Sequence, residues 1–132
     1  MVLDRETIIE RLKEIELWEE LKGELHFLLA NAIASKDYEY IEALLKAGAN
    51  PNPKDDLDCH IQYLLHEFKV EKTTKGELIL SIVELLLQHG ANPNRVWCNN
   101  QRAYDYAVSW NVSPFAKLLE KYGADTKLRE YI

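Results

Sequence analysis

Three leucine-rich stretches, each followed by the same polar phrase, set the pattern of apolar and polar positions along the chain. They lie at residues 44–52, 85–94 and 118–125, and each passes from consecutive leucines to Gly-Ala-Asn or Gly-Ala-Asp. Apolar residues at helical spacing followed by glycine predict a helix closed by a residue of positive φ. The three glycines are 42 and 33 residues apart. This recurrence predicts a repeated helical unit with extra residues in its second copy.

Each leucine-rich stretch is preceded by another apolar segment of helical length, at residues 25–33, 61–68 and 103–108. The chain therefore reads as three pairs of helices, each pair divided by a short turn. Asp37 is placed to cap the second helix of the first pair, and Ser113 that of the third. Both side chains are short and polar and can accept hydrogen bonds from the first turn of a helix.

The extra residues fall within the second pair, near residues 69–76, where the apolar pattern lapses. Thr74 followed by Glu77 matches a capping box, in which each side chain bonds the backbone N–H of the other residue. A helix is therefore predicted to begin there and to be longer than its counterparts. Asn99 or Asn100 is expected to cap the first helix of the third pair.

The segments before and after the three pairs are predicted to close the ends of the structure. Asp4 can cap an N-terminal helix that is apolar on one side and glutamate-rich on the other, as suits a unit with no neighbour on one flank. At the other end, Leu128 and Tyr131 are expected to fold back over the last pair. We assign residues 1–23 to an N-terminal cap, 24–52 to repeat 1, 53–94 to repeat 2, and 95–132 to repeat 3 with a C-terminal cap.

Composition and charge place these 132 residues in one ordinary globular domain. Hydrophobic residues make up 47% and charged residues 29% of the chain, no apolar run is long enough to span a bilayer, and a basic leader is not apparent at the start. The net charge of −6 argues against nucleic acid and favours a partner protein more basic than this chain. Cys59 and Cys98 lack paired or metal-binding spacing, so both are expected to be free thiols in a cytoplasmic protein.

These features together resemble the ankyrin repeat family over residues 24–126. The resemblance rests on the Leu-Leu-x-x-Gly-Ala-Asn/Asp endings and on the helix pairs. The Thr-Pro-Leu-His start of the family repeat is absent: residues 102–105 read Arg-Ala-Tyr-Asp, and residues 60–63, His-Ile-Gln-Tyr, stand at this place in the second copy. The resemblance implies an all-α ankyrin-repeat solenoid of about three helix-turn-helix repeats, with an N-terminal capping helix and a short C-terminal cap.

The resemblance also implies a protein-binding face, made by the loops between repeats, called fingers below, and by the ends of the first helices. The candidate partner-binding residues at these positions are Lys54, Asp55, Asp56, Leu57, Glu67, Arg95, Val96, Trp97, Ser109 and Trp110. Trp97 lies in a polar turn and either anchors a partner or packs on the neighbouring finger. Trp110 either contacts a partner or seals the gap between repeats. The aspartates near residue 55 either receive a basic partner or solvate a turn.

Signals for a metal site or for catalysis are weak. The aspartates near residue 55 lack the alternation and closing glutamate of a calcium loop, and Cys59, His60 and His66 lack a fourth zinc ligand. The sequence contains no glycine-rich phosphate loop, nucleophile elbow or HExxH motif. We therefore expect no enzyme activity, no metal and no other cofactor.

The leading hypothesis is a non-catalytic interaction module that is monomeric when free and binds one partner protein through its fingers and inner helices. Small acidic ankyrin proteins resemble bacterial immunity proteins, so an inhibitor that blocks a secreted toxin is a finer form of this hypothesis. The alternative is a structural subunit that self-assembles through the edge of its third repeat. Sedimentation at micromolar concentration distinguishes the two.

Overall fold

The computed structural model describes residues 4–12, 24–52, 60–70, 75–96 and 100–129. Seven helices lie within these ranges: α1 (Arg5–Leu12), α2 (Leu25–Ala34), α3 (Tyr38–Lys46), α4 (His60–Val70), α5 (Lys75–Gln88), α6 (Ala103–Ser109) and α7 (Ser113–Lys121). In the same part of the chain, Val96 and Arg102 form an isolated antiparallel bridge, and no strand is present. The predicted all-α class is confirmed. The predictions for Thr74, Asn99 and Tyr131 fall outside the described ranges.

The helices pack as consecutive pairs that stack in two rows. α2 packs on α3, α4 on α5, and α6 on α7. The second helices form one row, in which α3 contacts α5 and α5 contacts α7, while α4 contacts α6 in the row of first helices. α1 packs on α3 and so continues the row of second helices on the N-terminal side. This is the arrangement of a helical solenoid, in which each unit contacts its neighbours in sequence.

The three glycines of the sequence pattern end the second helices in the same way. Gly48, Gly90 and Gly123 have φ of 106°, 97° and 94°. After α3, the Gly48 N–H donates to the Leu45 carbonyl (3.1 Å) and the Ala49 N–H to the Leu44 carbonyl (3.0 Å), and the same two bonds close α5 and α7. These bonds form a Schellman motif, which needs a residue of positive φ and satisfies carbonyls at the helix end. The predicted glycine caps are confirmed.

Apolar residues at helical spacing form one continuous core between the two rows. Its fully buried side chains include Leu29 and Ile33 from repeat 1, Leu64 and Leu86 from repeat 2, and Phe115 from repeat 3. Each of these helices packs against one or two neighbouring pairs. The core therefore runs along the stack and has no single centre.

The second pair has a markedly longer second helix. α5 has 14 residues, whereas α3 and α7 have nine each. Among the first helices, α4 has 11 residues, α2 has ten and α6 has seven. Near the start of α5, Gly76 lies so close to the Phe68 ring of α4 that a Cβ atom would stand 3.3 Å from it. Phe68 in turn packs edge-on against Phe115 of repeat 3. The predicted longer helix is therefore present, and the end of the extended pair is fixed by packing.

Predicted capping residues are confirmed at two helices and wrong at two others. The Asp4 carboxylate accepts the Thr7 N–H (2.7 Å), and Asp37 accepts the Tyr40 N–H (3.3 Å). At the third pair, α6 is instead preceded by Arg102, and Ser113 is the first residue of α7 rather than its cap. The reason at α6 is a backbone bond from Arg102 to a side chain inside the helix, described below.

One further expectation about side-chain packing is wrong. Leu128 was expected to fold back over the last pair, but the residue is 55% exposed. The segment around Leu128 is held by polar contacts to its backbone instead.

Candidate protein-binding surface

The candidate partner-binding residues divide into two groups. Lys54, Asp55, Asp56, Leu57 and Trp97 lie outside the described residues. Within them, Glu67, Ser109 and Trp110 lie at the ends of the first helices α4 and α6, and Arg95 and Val96 lie in the finger after α5. The structure therefore describes the helix-end part of the predicted surface and the base of one finger.

Two asparagines hold the fingers in register from one repeat to the next. Asn52 donates from Nδ2 to the Gly90 carbonyl (2.9 Å) and accepts the Asn92 N–H at Oδ1 (2.6 Å). Asn94 makes the same pair of bonds with the Gly123 carbonyl (3.2 Å) and the Asp125 N–H (2.7 Å). Since each amide bonds both a carbonyl and an N–H of the next repeat, the spacing between fingers is set by side chains of fixed geometry.

A cluster of charged and aromatic side chains lies between the first helices of repeats 1 and 2. The Lys36 ammonium lies 3.7 Å from the Glu67 carboxylate and 5.8 Å from the centre of the Tyr63 ring. A hydrogen bond to Glu67 and partial burial raise the pKa of the Tyr63 hydroxyl. Tyr63 is nevertheless 39% exposed. Glu67 thus belongs to a group near the end of α4 that includes a partly exposed aromatic ring.

A second cluster lies between repeats 2 and 3. The Lys69 ammonium stands 4.2 Å from the centre of the Trp110 ring, within cation–π range. The Tyr106 ring, one helical turn earlier on α6, lies 5.1 Å from the Trp110 ring. Trp110 is half-buried and Ser109 is exposed. Trp110 therefore helps to join the two repeats and keeps part of its ring at the surface.

The base of the second finger contributes the remaining described candidates. Val96 is exposed and forms the antiparallel bridge with Arg102, and Arg95 is half-buried. This bridge joins the two ends of the finger.

A buried polar group around the start of α6 was not among the candidate residues. Gln101, Arg102 and Asp105 are only 6%, 3% and 4% exposed. Arg102 donates from Nε and Nη2 to the two oxygens of Asp105 (3.0 and 3.1 Å), and its backbone N–H also reaches Asp105 (2.9 Å). The sequence feature that could have revealed this group is an arginine three residues before an aspartate, at the positions where the family repeat has threonine and histidine.

The charge of this buried pair follows from its bonds. Burial raises the pKa of Asp105, but bonds from the Arg102 side chain and from two backbone N–H groups bring it below its ordinary value. The Asp105 bond likewise raises the pKa of Arg102 above its already high value. Both groups are therefore ionised at neutral pH, as a buried pair with full hydrogen bonding requires.

A shallow groove also lies between α5 and α7, on the row of second helices. Its lining residues are Leu80, Ser81, Glu84, Pro114, Lys117, Leu118 and Lys121. Bonds from Lys121 and Tyr122 lower the pKa of Glu84. Glu84 is therefore an ion-pair partner rather than a carboxyl group suited to acid catalysis.

Within the described ranges, no group of three or more histidine, cysteine, aspartate or glutamate residues could hold a metal ion. None of the described helices has the length and apolarity needed to traverse a bilayer.

Comparison with known proteins identifies one informative relative. A curated ankyrin repeat protein of Fowlpox virus (strain NVSL) is 30% identical over 105 residues. The alignment covers 78% of this chain and 13% of the viral protein, so the chain spans only a small part of the length of that relative. No family model matches the chain, and no solved structure matches it.

Proposed function

The chain belongs to the ankyrin repeat family, and from this premise we propose that it is a non-catalytic module that binds a partner protein. The binding surface comprises the ends of the first helices and the finger loops. The observation that carries the proposal is the pair of ordered clusters at the two repeat junctions, Lys36–Tyr63–Glu67 and Lys69–Trp110–Tyr106. Half-exposed aromatic rings with neighbouring charges are typical of interface anchors.

The scaffold beneath this surface supports binding with little rearrangement. The asparagine bonds between repeats and the repeated Schellman motifs fix the bases of successive fingers and the ends of the second helices. A surface that is ordered before binding loses less conformational entropy when the complex forms. Recognition by a rigid scaffold is therefore the proposed mechanism, and no chemical step is required.

The finer proposal concerns the partner. The net charge of −6 favours a protein more basic than this chain, and the aspartates of the first finger extend that charge to the predicted contact region. A protein that acts by covering a surface of its partner is an inhibitor, and a toxin blocked by an immunity protein is one example. We propose this role in the cytoplasm, with a one-to-one complex.

The test is a calorimetric titration of the partner that affinity capture on the native chain recovers. We expect one-to-one stoichiometry. Two combined variants are tested: the double change Glu67→Ala and Trp110→Ala, and the triple change Asp55→Ala, Asp56→Ala and Trp97→Ala. Each should lose at least about tenfold in affinity, about 1.4 kcal/mol. Lys117→Ala, an exposed change on α7, is the matched control and should bind as the native chain does.

Circular dichroism of each variant separates loss of contact from loss of fold. If the folded variants of both groups retained native affinity, the proposed surface would be wrong. A complex of another stoichiometry would contradict the one-to-one mechanism.

A further inference from the structure

The segment 123–129, after α7, begins in the same way as the fingers that follow the other two second helices. The Lys127 N–H donates to Asp125 Oδ1 (3.0 Å), just as the Asn94 N–H donates to Asn92 Oδ1 (2.9 Å) after α5. The first finger has the same turn after α3. A side chain that bonds the backbone two residues later forms an Asx turn. Segment 123–129 therefore lies beside the second finger as the second finger lies beside the first.

This segment contacts both ends of the second finger. At the start of the finger, Asn94 bonds two backbone groups of the segment, as described above. At its end, Gln101 Nε2 donates to the Arg129 carbonyl (3.0 Å), and Arg102 Nη2 donates to the Lys127 carbonyl (2.6 Å). The backbone of the segment thus bridges the two ends of the finger.

The Arg129 side chain holds the residue at which the chain turns from the finger towards α6. Its Nε donates to the Asn100 carbonyl (2.9 Å) and to Asn100 Oδ1 (3.1 Å), and its Nη2 also donates to Oδ1. Asn100 has a φ of 62°, in the left-handed region that residues other than glycine rarely adopt. Because the planar guanidinium bonds both the carbonyl and the side chain of Asn100, it favours this one conformation.

The backbone of Arg129 is anchored separately from its side chain. The Arg129 N–H donates to Asp105 Oδ1 (3.0 Å), and Asp105 is buried. The Arg129 residue itself is exposed. Replacement of the side chain therefore removes the contacts to Asn100 and leaves the backbone bonds to the buried polar group in place.

We propose that Arg129 is a positioning residue of the protein-binding surface, which acts through Asn100 to hold the second finger in the conformation that meets the partner. The candidate contact residues of this finger, Arg95, Val96 and Trp97, precede Asn100 in the sequence. A finger that is ordered before binding avoids the entropy cost of being ordered in the complex. The inference rests on the function proposed above, since the finger belongs to that surface.

The free chain tests the ordering without a partner. Amide order parameters from NMR relaxation report backbone order, with values of about 0.85 for rigid and below about 0.6 for flexible residues. The Asn100 amide should be rigid in the native chain and flexible in Arg129→Ala, whereas the amides of α5 and α7 should not change. Lys127→Ala is the matched control, because it removes the same charge and the Lys127 contacts described above are made by backbone atoms.

Titration of the partner recovered by affinity capture tests the consequence for binding. Ordering the backbone of even one residue costs a factor of about five or more in affinity, so Arg129→Ala should lose at least that much. Lys127→Ala has the same net charge and should bind as the native chain does. Arg129→Lys keeps the charge but lacks the planar fork, so it should share the loss.

A coupling measurement tests whether Arg129 acts through Asn100. Asn100→Gly permits the positive φ but lacks the side-chain acceptor. If the two residues act together, Arg129→Ala should cost less affinity in the Asn100→Gly chain than in the native chain. Equal costs would overturn the assignment of Asn100 as the residue through which Arg129 acts.

Circular dichroism confirms that each variant is folded. The inference is overturned if Asn100 keeps its native order parameter in folded Arg129→Ala, or if Arg129→Ala and Lys127→Ala bind the partner equally well. Failure of the proposed function is recognised separately: the contact variants would then retain native affinity whatever the order of Asn100, and the positioning role would fall with it.

Discussion

Asp105 carries a negative charge that is almost wholly removed from water, and every one of its contacts compensates that charge. It accepts bonds from the Arg102 side chain, the Arg102 N–H and the Arg129 N–H. A buried ion pair contributes little net stability, but removal of one partner leaves an uncompensated charge. The pair therefore matters most when it is broken.

Asp105→Asn should lower the free energy of unfolding by about 3 kcal/mol, because Arg102 would remain buried without its counter-charge. Asp125→Asn is the control: Asp125 also lies near Arg102, but its side chain is 64% exposed, so the cost should stay below about 1 kcal/mol. Urea denaturation followed by circular dichroism measures both. Equal values for the two variants would contradict the larger cost of breaking the buried pair.

Acid should destabilise the protein through the same carboxylate. The pKa of Asp105 is lower in the folded chain than its ordinary unfolded value of about 3.9. Its contribution is therefore fully present above that value and is lost as the pH falls through the lower folded pKa. Asp37, whose pKa is lowered by its bond from Arg5, shifts in the same direction.

Stability measured by urea denaturation should change little between pH 7 and about pH 5 and fall below about pH 4. The fall should be shallower in Asp105→Asn, which has no carboxyl group to protonate at that position. A native chain whose stability rose on acidification would contradict the assigned direction of these shifts.

Among the secondary-structure elements, the ends of the second helices depend on backbone conformation rather than on packing. Gly90 has a φ of 97°, and a Cβ atom added there would meet no other atom within 4 Å. The requirement for glycine is therefore conformational, since L-residues with a side chain are disfavoured at positive φ.

Gly90→Ala should destabilise the protein by about 1–2 kcal/mol, and Gly90→Asn by less, because asparagine tolerates the left-handed region. Ser81→Ala, an exposed change on the same helix, should be close to neutral or slightly stabilising. Thermal and urea unfolding measure the order of stability of the three variants. If Gly90→Ala and Gly90→Asn were equally harmful, positive φ would not be the reason for glycine.

On the scale of the whole molecule, the third repeat differs from the other two on the side away from repeat 2. Leu45 and Leu87, three residues before their glycines, are buried, whereas Glu120 at that position is exposed. Ile33 and Val108 each lie three residues before the positive-φ residue of a first helix, yet Ile33 is 1% exposed and Val108 41%. A partly polar outer side is expected of a unit that ends a helical stack.

The exposed Glu120 on this side argues against self-assembly through repeat 3. In sedimentation at micromolar concentration, we expect the free chain to be a monomer of 15.4 kDa. Glu120→Leu restores the apolar residue of the other repeats and should shift the chain towards association. A stable dimer of the native chain would instead favour the structural, self-assembling alternative.

The sequence by itself determined the repeat spacing, the helix pairs and their glycine ends. These features depend on local rules: apolar residues at helical spacing give a buried face, and glycine permits the positive φ that ends a helix. The caps at Asp4 and Asp37 were predictable for the same reason, since each bonds a residue three positions away.

Only the tertiary structure decided which side chains meet across repeats. The bonds of Arg102 and Asp105 to residues 127 and 129 join positions more than 20 residues apart, as does the contact of Lys69 with Trp110 across two repeats. Leu128 looked like a core residue because its apolar character is visible in the sequence, but its neighbours are not. Polar groups that satisfy one another through space leave no periodic signal, so the buried polar site had to be found in three dimensions.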